Sequence, residues 1–512
     1  MSEERKNQKD EAGTKVSRRD FARTSVAAGA AAVALPSAVR AEALTGSKPV
    51  PKAAAAARKV TAHRVASPPE VIGYGGSGAP PNVGSLGTKR TKRYASGWQP
   101  GTTIPAEYYL AEEHYLRDEA FLKENQWMFA DHVSRIPNAG DYFVFQFGHG
   151  ESVIVVRNQA GEVKAFHNVC RHRGSRLCRH DADSVPSDPR LSVKQLGQDG
   201  SSPVFRCPYH AWTYDTDGSL IYAYGMQDDF DAADNGLIPC HLRIAEGNIF
   251  VHLTAEAEPP DFDEQVGNDI LPVLEYYGVG GLKVAARQTY PIYGNWKLAL
   301  ENFQECYHCG PSHKSLVTAH NWDQEMSPEQ RAERGTEVAA WVKKEGLRRI
   351  RGRAGMGGGG GDQQEEYETS MGGNLNPGFM TGSMDGKAVA PLLPNINEWT
   401  YGTRIAGTRF FTFYAQCYDD HIGIARFTPR GAELTDCELL WLVHPDAVEG
   451  RDYDPDAVAA LWHVTIQEDI WVVENNHEGV RSGAYRAGRY AGSEGGPSGF
   501  VQWYMNEIVG TT

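Results

Sequence analysis

The sequence predicts an α+β protein in which a compact antiparallel β domain is followed by a larger α+β domain. Residues 141–253 contain short runs of alternating apolar and β-branched residues, separated by turns that contain Gly or Asn, which is typical of antiparallel strands. Beyond about residue 262, helical patterns alternate with longer strand-like runs. The predicted strands are "DYFVFQF" (141–147), "SVIVVRN" (152–158), "VKAFHNV" (163–169), "NIFVHL" (248–253), "RFFTFYAQCY" (409–418) and "CELLWLVHP" (437–445).

Length and composition limit the classes of protein to consider. A chain of 512 residues is long enough for two or three domains. Its formal net charge of −14 argues against nucleic acid as a partner. Eight cysteines are too few for a disulfide scaffold, and no apolar run has the length of a membrane-spanning helix. The composition is ordinary for a globular protein.

The N-terminal part of the chain differs from the rest. Residues 1–41 combine basic residues, the apolar run "SVAAGAAAVALP" (25–36) and small residues, and "SRRDFAR" (17–23) resembles a twin-arginine signal. We therefore expect export to the periplasm, the alternative being an Ala-rich tail on a cytoplasmic protein. Residues 42–104 are rich in Pro, Gly and Ala and are predicted to form a linker or arm. The predicted domains are then 105–261 and 262–512.

Two short motifs in the β domain are candidate metal ligands. They are Cys170-x-His172 and Cys207-x-x-His210, and each supplies one thiolate and one imidazole. Two such loops can hold a [2Fe–2S] cluster with both cysteines on one iron and both histidines on the other. Tetrahedral zinc is the alternative, but the one-residue spacing of the first pair is unlike that of a zinc finger.

With their flanking residues, "VKAFHNV" and "AWTYDTDGSL", these motifs resemble the Rieske domain of ring-hydroxylating-type Rieske non-haem iron oxygenases. Respiratory-chain Rieske proteins are the alternative, but they usually carry an extra cysteine in each half-motif. Here no such pair occurs, although Cys178 has no assigned role. The spacing between the half-motifs is longer than usual, so we expect an inserted loop at 181–202.

A second candidate site lies in "ENFQECYHCGPSH" (301–313). A helix from about residue 295 would place Glu301, Glu305 and His308 on one face, and Gly310-Pro311 would then turn His313 back toward His308. Two imidazoles and one carboxylate form a facial triad that leaves one side of an Fe(II) ion open to O₂. The spacing resembles the mononuclear iron motif of the same oxygenase family.

Other interpretations of this segment exist. Cys306 and Cys309 could join the two histidines in a zinc knuckle, or form a disulfide, although free thiols beside the site are favoured. Glu301 could be a metal-site residue or a helix-surface acid.

The third iron ligand must come from a distant segment. In residues 454–480, Trp462, Ile466, Asp469 and Val473 are spaced as one helical stripe, which places Asp469 among apolar residues. An unpaired carboxylate is costly to bury, and metal binding would remove that cost. The resemblance also implies an Asp ligand on a late helix, with Glu468 or Glu474 as alternatives.

The resemblance gives Glu305 a role and suggests a branch of the family. Most members carry Asp at this position, where it bridges an iron histidine to the cluster histidine of the next subunit. Glu is found in the branch that acts on quaternary ammonium and N-methyl compounds. Glu305 and Asn302 are therefore predicted to act in catalysis. Candidate aromatic residues for binding a cation are found in "RFFTFY" (409–414) and at Trp399, Tyr401 and Trp441.

The resemblance implies a catalytic α subunit, with the second domain of the helix-grip type. A separate ferredoxin or flavin reductase would supply electrons to the [2Fe–2S] cluster and then to the mononuclear Fe(II). The enzyme would use O₂ to hydroxylate or demethylate a small molecule, either a quaternary ammonium compound or an aromatic acid. A homotrimer is expected. The alternative is an exported electron-transfer protein whose second domain only binds partners.

Overall fold

The structure is a computed structural model, and it describes residues 98–179, 196, 199–254, 257–320, 375–407 and 412–510. The predicted signal, most of the predicted linker and most of the predicted insertion lie outside these residues. The fold is mixed α/β and is built on antiparallel sheets, which confirms the predicted class. No helix in the described ranges has both the length and the apolar character needed to cross a membrane.

The first part of the described chain is mainly β-structure, preceded by two helices. A four-stranded sheet has the order β4-β3-β2-β5, and two three-stranded sheets have the orders β1-β10-β9 and β6-β7-β8. The elements are α1 (Glu107–Leu110), α2 (Glu112–Asn125), β1 (Met128–His132), β2 (Asp141–Phe147), β3 (Glu151–Arg157), β4 (Val163–His167), β5 (Asp199–Ser201), β6 (Val204–Arg206), β7 (Thr213–Asp215), β8 (Leu220–Tyr222), β9 (His241–Ala245) and β10 (Asn248–His252).

The second part contains a five-stranded antiparallel sheet of order β11-β15-β14-β13-β12 with helices on both faces. The elements are α3 (Asn268–Tyr277), β11 (Lys283–Ile292), α4 (Trp296–Phe303), α5 (Cys309–Ser312), α6 (Lys314–Ala319), β12 (Arg404–Gly407), β13 (Tyr414–Cys417), β14 (Ile422–Gly431), β15 (Leu434–Val443), α7 (Pro455–Val480) and α8 (Gly495–Trp503).

Alternation along the strands decides which helix covers which face of the five-stranded sheet. Ala415 and Leu440 pack with the apolar side of α3. Their neighbours Tyr414 and Trp441 point to the other face and share a core with residues of α4 and α7. Side chains alternate between the two faces of a sheet along each strand. The helix α7, which carries the candidate iron ligand Asp469, therefore covers the same face of the sheet as Tyr414.

Strand prediction was accurate where the pattern was strong. The first four predicted strands correspond to β2, β3, β4 and β10 with ends that agree within one or two residues. The run predicted at 409–418 forms a strand only at Tyr414–Cys417, and residues 409–411 lie outside the described residues. Residues 98–104, assigned to the linker, contact the C-terminal region, where the Thr103 N–H donates to the Gly488 carbonyl at 2.9 Å.

Charged residues join the β-rich part to the five-stranded sheet. Asp131 on β1 is fully buried and accepts hydrogen bonds from Arg287 of β11, with Nη2 lying 2.7 Å from Oδ1. Arg135 also pairs with Asp131 at 2.5 Å. Burial alone would raise the pKa of Asp131, but the two guanidinium groups hold it below its usual range. The buried carboxylate is therefore ionised and fixes β1 against the five-stranded sheet.

Candidate metal centres and active site

The two upstream motifs form two matching turns. Cys170 N–H donates to the Ser175 carbonyl, and Cys207 N–H donates to the Trp212 carbonyl, so each cysteine bonds five residues ahead. Four residues after each cysteine the backbone is left-handed, at Gly174 (φ 75°) and Ala211 (φ 62°). This conformation lets each turn bring its cysteine and histidine to one side.

The thiols and the imidazoles of these turns differ in exposure. Cys170 and Cys207 are both 1% exposed and their thiols are hydrogen-bonded to each other, whereas His172 and His210 are exposed. The rings of His172 and His210 have centroids 4.6 Å apart. A hydrogen bond from the Cys170 thiol lowers the pKa of Cys207, which favours a thiolate at this position. Two buried sulfurs beside two exposed imidazoles fit a [2Fe–2S] cluster with histidine ligands on its outer iron.

The second candidate segment does not form the long helix predicted from its spacing. The N-cap of α4 is Asn295, whose side chain accepts a hydrogen bond from the Lys297 N–H at 3.0 Å. The helix ends at Phe303. The prediction that Glu305 and His308 share a helical face was therefore wrong. The physical reason is that Glu305 Oε2 accepts the His308 N–H at 3.2 Å, and that of Tyr307, in place of backbone carbonyls. A turn, rather than a helix, brings Glu305 to His308.

The two histidines of this segment converge on one carboxylate. Asp469 Oδ1 lies 3.2 Å from His308 Nε2 and 3.0 Å from His313 Nε2. Donor atoms about 2.1 Å from one ion and at right angles to each other would be about 3.0 Å apart, so this spacing fits a facial triad. The stripe on α7 was predicted correctly, because Trp462, Ile466, Asp469 and Val473 are all buried.

The other ring nitrogen of each histidine, Nδ1, also contacts a carboxylate. His308 Nδ1 lies 2.5 Å from Glu305 Oε1, and His313 Nδ1 lies 2.9 Å from Glu468 Oε2. Such contacts orient an imidazole and increase its basicity toward a metal. Burial lowers the pKa of His308, yet Asp469 and Glu305 raise it to about 10. Three carboxylates around two imidazoles create a site that favours positive charge.

Asp469 fits the part of third ligand better than its two alternatives. It is buried, and although burial raises its pKa, the two histidines hold it below its usual range. Glu468 contacts the opposite nitrogen of His313, and Glu474 accepts the Tyr293 N–H at 2.9 Å. Cys309 also lies near both histidines, with its sulfur within 4.8 Å of their ring nitrogens. We favour the Asp469 set, because two imidazoles and a carboxylate are the ligands of open Fe(II) sites.

Two predicted residues of α4 have distinct surroundings. Asn302 Nδ2 lies 3.3 Å from His308 Nε2, so its amide is placed beside the candidate iron position. Glu301 is not a surface acid, since it is 8% exposed and accepts hydrogen bonds from Tyr109 and Tyr490 at 2.7 Å and 2.6 Å. Burial raises the pKa of Glu301 to about 7.

An aromatic group lies on the same side of the sheet as the triad. The ring centroids of Phe303 and Tyr414 are 5.0 Å apart, and Trp462 lies 6.2 Å from Phe303 and 6.1 Å from Tyr414. Trp462 precedes Asp469 by two helical turns on the buried face of α7. We call Phe303, Tyr414 and Trp462 the aromatic wall.

Sequence reasoning identified only part of this wall. Tyr414 was among the predicted aromatic residues, and Trp462 was noted only as part of the stripe. Trp441 is buried beside Gly423 with Trp462, while Trp399 and Tyr401 are half-buried in an irregular segment. Phe303 was missed, and Glu468 was considered only as an alternative iron ligand. Their positions next to Asn302 and Asp469 are the signal that could have indicated their roles.

Comparison with known proteins agrees with this geometry. Residues 126–230 match the family model "Rieske [2Fe-2S] domain", and residues 279–509 match "Ring hydroxylating alpha subunit (catalytic domain)". The chain is 32% identical over 424 residues to the glycine betaine monooxygenase oxygenase subunit of Pseudomonas aeruginosa, covering 80% of this chain and 89% of the relative. It is 33% identical over 218 residues to the carnitine monooxygenase oxygenase subunit of Escherichia coli, covering 42% of this chain and 53% of the relative.

Solved structures show the same fold. A quaternary ammonium Rieske monooxygenase superposes with a TM-score of 0.57 at 19% identity, covering 80% of this chain and 95% of the other. Matched Cys/His turns followed by a two-histidine, one-carboxylate site define the class of Rieske-type oxygenases. The chain belongs to the Rieske non-haem iron oxygenase family, as an oxygenase subunit with a ring-hydroxylating-type catalytic domain.

Family membership decides between several of the alternatives raised by the sequence. Members of this family use a Rieske [2Fe–2S] cluster together with a mononuclear iron, so both predicted cofactors are confirmed and zinc is not the metal of either centre. The catalytic-domain match over 279–509 is incompatible with a second domain that only binds partners. The chain is therefore an enzyme, and it is not a respiratory electron carrier.

Proposed function

We propose that this oxygenase subunit oxidises a small quaternary ammonium compound and removes one of its N-methyl groups or hydroxylates it. The observation that carries the proposal is the aromatic wall, which lies on the same side of the sheet as the candidate triad, with Trp462 on the helix that carries Asp469. A trimethylammonium group is attracted by aromatic faces within about 6 Å, and this attraction strengthens when water is excluded. The similarity to a glycine betaine monooxygenase subunit over 80% of the chain supports the same substrate class.

In this proposal the residues of the catalytic centre have separate roles. His308, His313 and Asp469 hold the iron, which supplies O₂ activation when bound. Glu305 and Glu468 keep the two imidazoles in the orientation that directs Nε2 to the metal. Asn302 can donate a hydrogen bond to a polar group that approaches beside His308.

The aromatic wall orients the substrate. Phe303 meets Tyr414 nearly edge to face, at 85°, and Trp462 is tilted by 63° to Tyr414, so the three rings face different directions. Tyr414 is held in place because its hydroxyl donates to Gln416 Oε1 at 2.6 Å. A rigid wall of this kind would hold one methyl group toward the triad.

The cluster-binding residues have their own proposed roles. Cys170, His172, Cys207 and His210 hold the [2Fe–2S] cluster, and the exposed histidines form its outward edge. A separate ferredoxin or flavin reductase supplies the electrons. We further propose a homotrimer in which His210 of one copy approaches Glu305 of the next, so that Glu305 lies on the electron route.

The substrate class is tested by comparing two carboxylates of the same shape, one with a trimethylammonium group and one with an uncharged tert-butyl group. Glycine betaine and 3,3-dimethylbutanoate differ in having nitrogen or carbon at the branching atom. Trp462→Leu should weaken binding of glycine betaine about 3- to 30-fold, with little change for the tert-butyl analogue. Trp462→Phe, which keeps an aromatic face, should recover part of the difference.

Equal losses for both compounds would show that Trp462 only shapes the pocket. Product-coupled O₂ uptake with benzoate, and none with glycine betaine or carnitine, would reassign the enzyme to aromatic acids.

We also propose that residues 1–41 direct twin-arginine export to the periplasm. The basic, apolar and small segments of this sequence support the proposal. A fusion of residues 1–45 to a reporter should reach the periplasm, and Arg18→Lys with Arg19→Lys should retain it in the cytoplasm. Export of the double variant at the normal level would exclude the twin-arginine route, whereas a wild-type fusion that stays in the cytoplasm would favour an Ala-rich tail on a cytoplasmic protein.

A further inference from the structure

Two cysteines lie inside the turn that carries Glu305 and His308. The Cys309 N–H donates to the Cys306 carbonyl at 3.1 Å, so residues 306–309 form a β-turn. The Cys306 thiol is within hydrogen-bonding reach of the Cys309 thiol. All eight cysteines belong to the described residues, and Cys306 differs from the other seven because it is not buried.

The turn makes this pair suitable for a disulfide. The Cα atoms at the ends of a β-turn are less than about 7 Å apart, which overlaps the range that a disulfide spans. In the helix predicted from sequence, the two cysteines would lie on adjacent turns of a rigid backbone. Because α4 ends at Phe303, the backbone around Cys306 is no longer held by helical hydrogen bonds.

The pair is mechanically connected to the iron site. Glu305 precedes Cys306 and bonds to His308, and the Cys309 sulfur lies within 4.8 Å of the ring nitrogens of His308 and His313. Drawing the two sulfurs to a bond length of about 2.05 Å would shift the backbone on both sides of His308. A disulfide between Cys306 and Cys309 would therefore move the proposed iron ligand His308.

We propose that Cys306 and Cys309 form a peroxide-sensitive thiol pair whose disulfide weakens iron binding at His308. The inference rests on the proposed ligand role of His308. Hydrogen peroxide is the oxidant. The partly exposed Cys306 sulfur attacks one peroxide oxygen, the O–O bond breaks, and a sulfenic acid and one water form. The Cys309 sulfur then displaces that oxygen as a second water, so two thiols lose two electrons and one peroxide gains them.

The chain offers a direct chemical readout. Cleavage after Lys297 and Lys314 releases residues 298–314, which contain Cys306 and Cys309 and no other cysteine. In holoprotein treated with limited peroxide, this peptide should lose the mass of two hydrogen atoms, whereas the buried Cys417 and Cys437 remain thiols. Iron content should fall from about three toward about two per chain while the visible spectrum of the cluster persists. Dithiothreitol followed by Fe(II) should restore both values.

Cys306→Ser provides the matched variant, since it replaces one partly exposed sulfur by oxygen. This variant should keep its iron at the same peroxide concentration. A peptide that stays reduced in the wild type would overturn the proposal, and so would a disulfide that leaves the iron content unchanged. These readouts require neither substrate nor reductase, so an error in the proposed substrate class would leave them unaffected.

Discussion

The two Cys/His turns and the His308/His313 segment each present two imidazoles, but they hold them in different ways. The cluster turns place exposed imidazoles beside buried sulfurs through backbone hydrogen bonds within each turn. At the second centre the imidazoles are fixed by carboxylates from two segments more than 150 residues apart. One site is built from local backbone geometry, and the other from long-range side-chain contacts.

This difference matches the work that each centre performs. Electron entry and exit require a cluster near the surface, and short turns can hold it there. Oxygen chemistry requires an environment that excludes water, and burial of charged ligands is tolerated only when they are paired. Asp469 satisfies this condition, because both of its histidine partners bind the same carboxylate oxygen.

The largest expected effects come from removing one ligand at each centre. Asp469→Ala should lose the mononuclear iron and keep the Rieske EPR signal, whereas Cys170→Ser should lose the cluster absorption and still bind one iron. Both variants should lose turnover. Glu474→Ala, which changes an acid of α7 that contacts only a backbone amide in the described hydrogen bonds, should retain both metals. Iron retained in Asp469→Ala would move the ligand role to Glu468.

A smaller effect concerns the dependence of the protein's stability on pH. Glu301 has its pKa raised by burial to about 7 in the folded state, above its value of 4.5 in the unfolded chain. Its stabilising contribution is complete below about pH 4.5 and is lost as pH rises through about 7, at a cost of about 3 kcal/mol. Glu301→Gln should therefore flatten the fall in thermal stability between about pH 4.5 and about pH 7. An unchanged pH profile would mean that the two tyrosines keep Glu301 ionised.

The smallest effect concerns the matched turns. Ala211 adopts a left-handed conformation that Gly adopts without strain, so Ala211→Gly should stabilise its turn by about 1 kcal/mol. Gly174→Ala should destabilise the other turn by a similar amount, because an added Cβ has open space and only the backbone conformation opposes it. Hydrogen exchange of the turn amides would measure both. If the two turns have equivalent conformations, Ala211→Gly and Gly174→Ala must change the stability of their turns in opposite directions.

Sequence patterns predicted the parts of each site that depend on local spacing. The Cys/His pairs were found because each pair lies within one turn, and Asp469 was found because it interrupts an apolar stripe. The end of α4 was not predicted. It depends on the Glu305 side chain, which accepts backbone N–H groups that would donate to backbone carbonyls in a continued helix.

The remaining errors concern side chains that meet only after folding. The sequence left Glu301 open between a metal-site residue and a surface acid, because its burial depends on Tyr109 and Tyr490 from distant segments. The aromatic wall joins α4, β13 and α7, and no single segment carries a pattern that indicates it. Tertiary contact, rather than local propensity, decides these positions.

We propose that electrons pass from the cluster to the buried triad through Glu305. Single-turnover mixing of reduced protein with O₂ and substrate tests it most directly, with cluster reoxidation as the readout. Glu305→Gln should keep both metals and slow reoxidation about 10- to 100-fold, whereas Glu468→Gln, the same change behind the other histidine, should reoxidise close to the wild-type rate. Reoxidation of Glu305→Gln at the wild-type rate would contradict the account and place the electron route elsewhere.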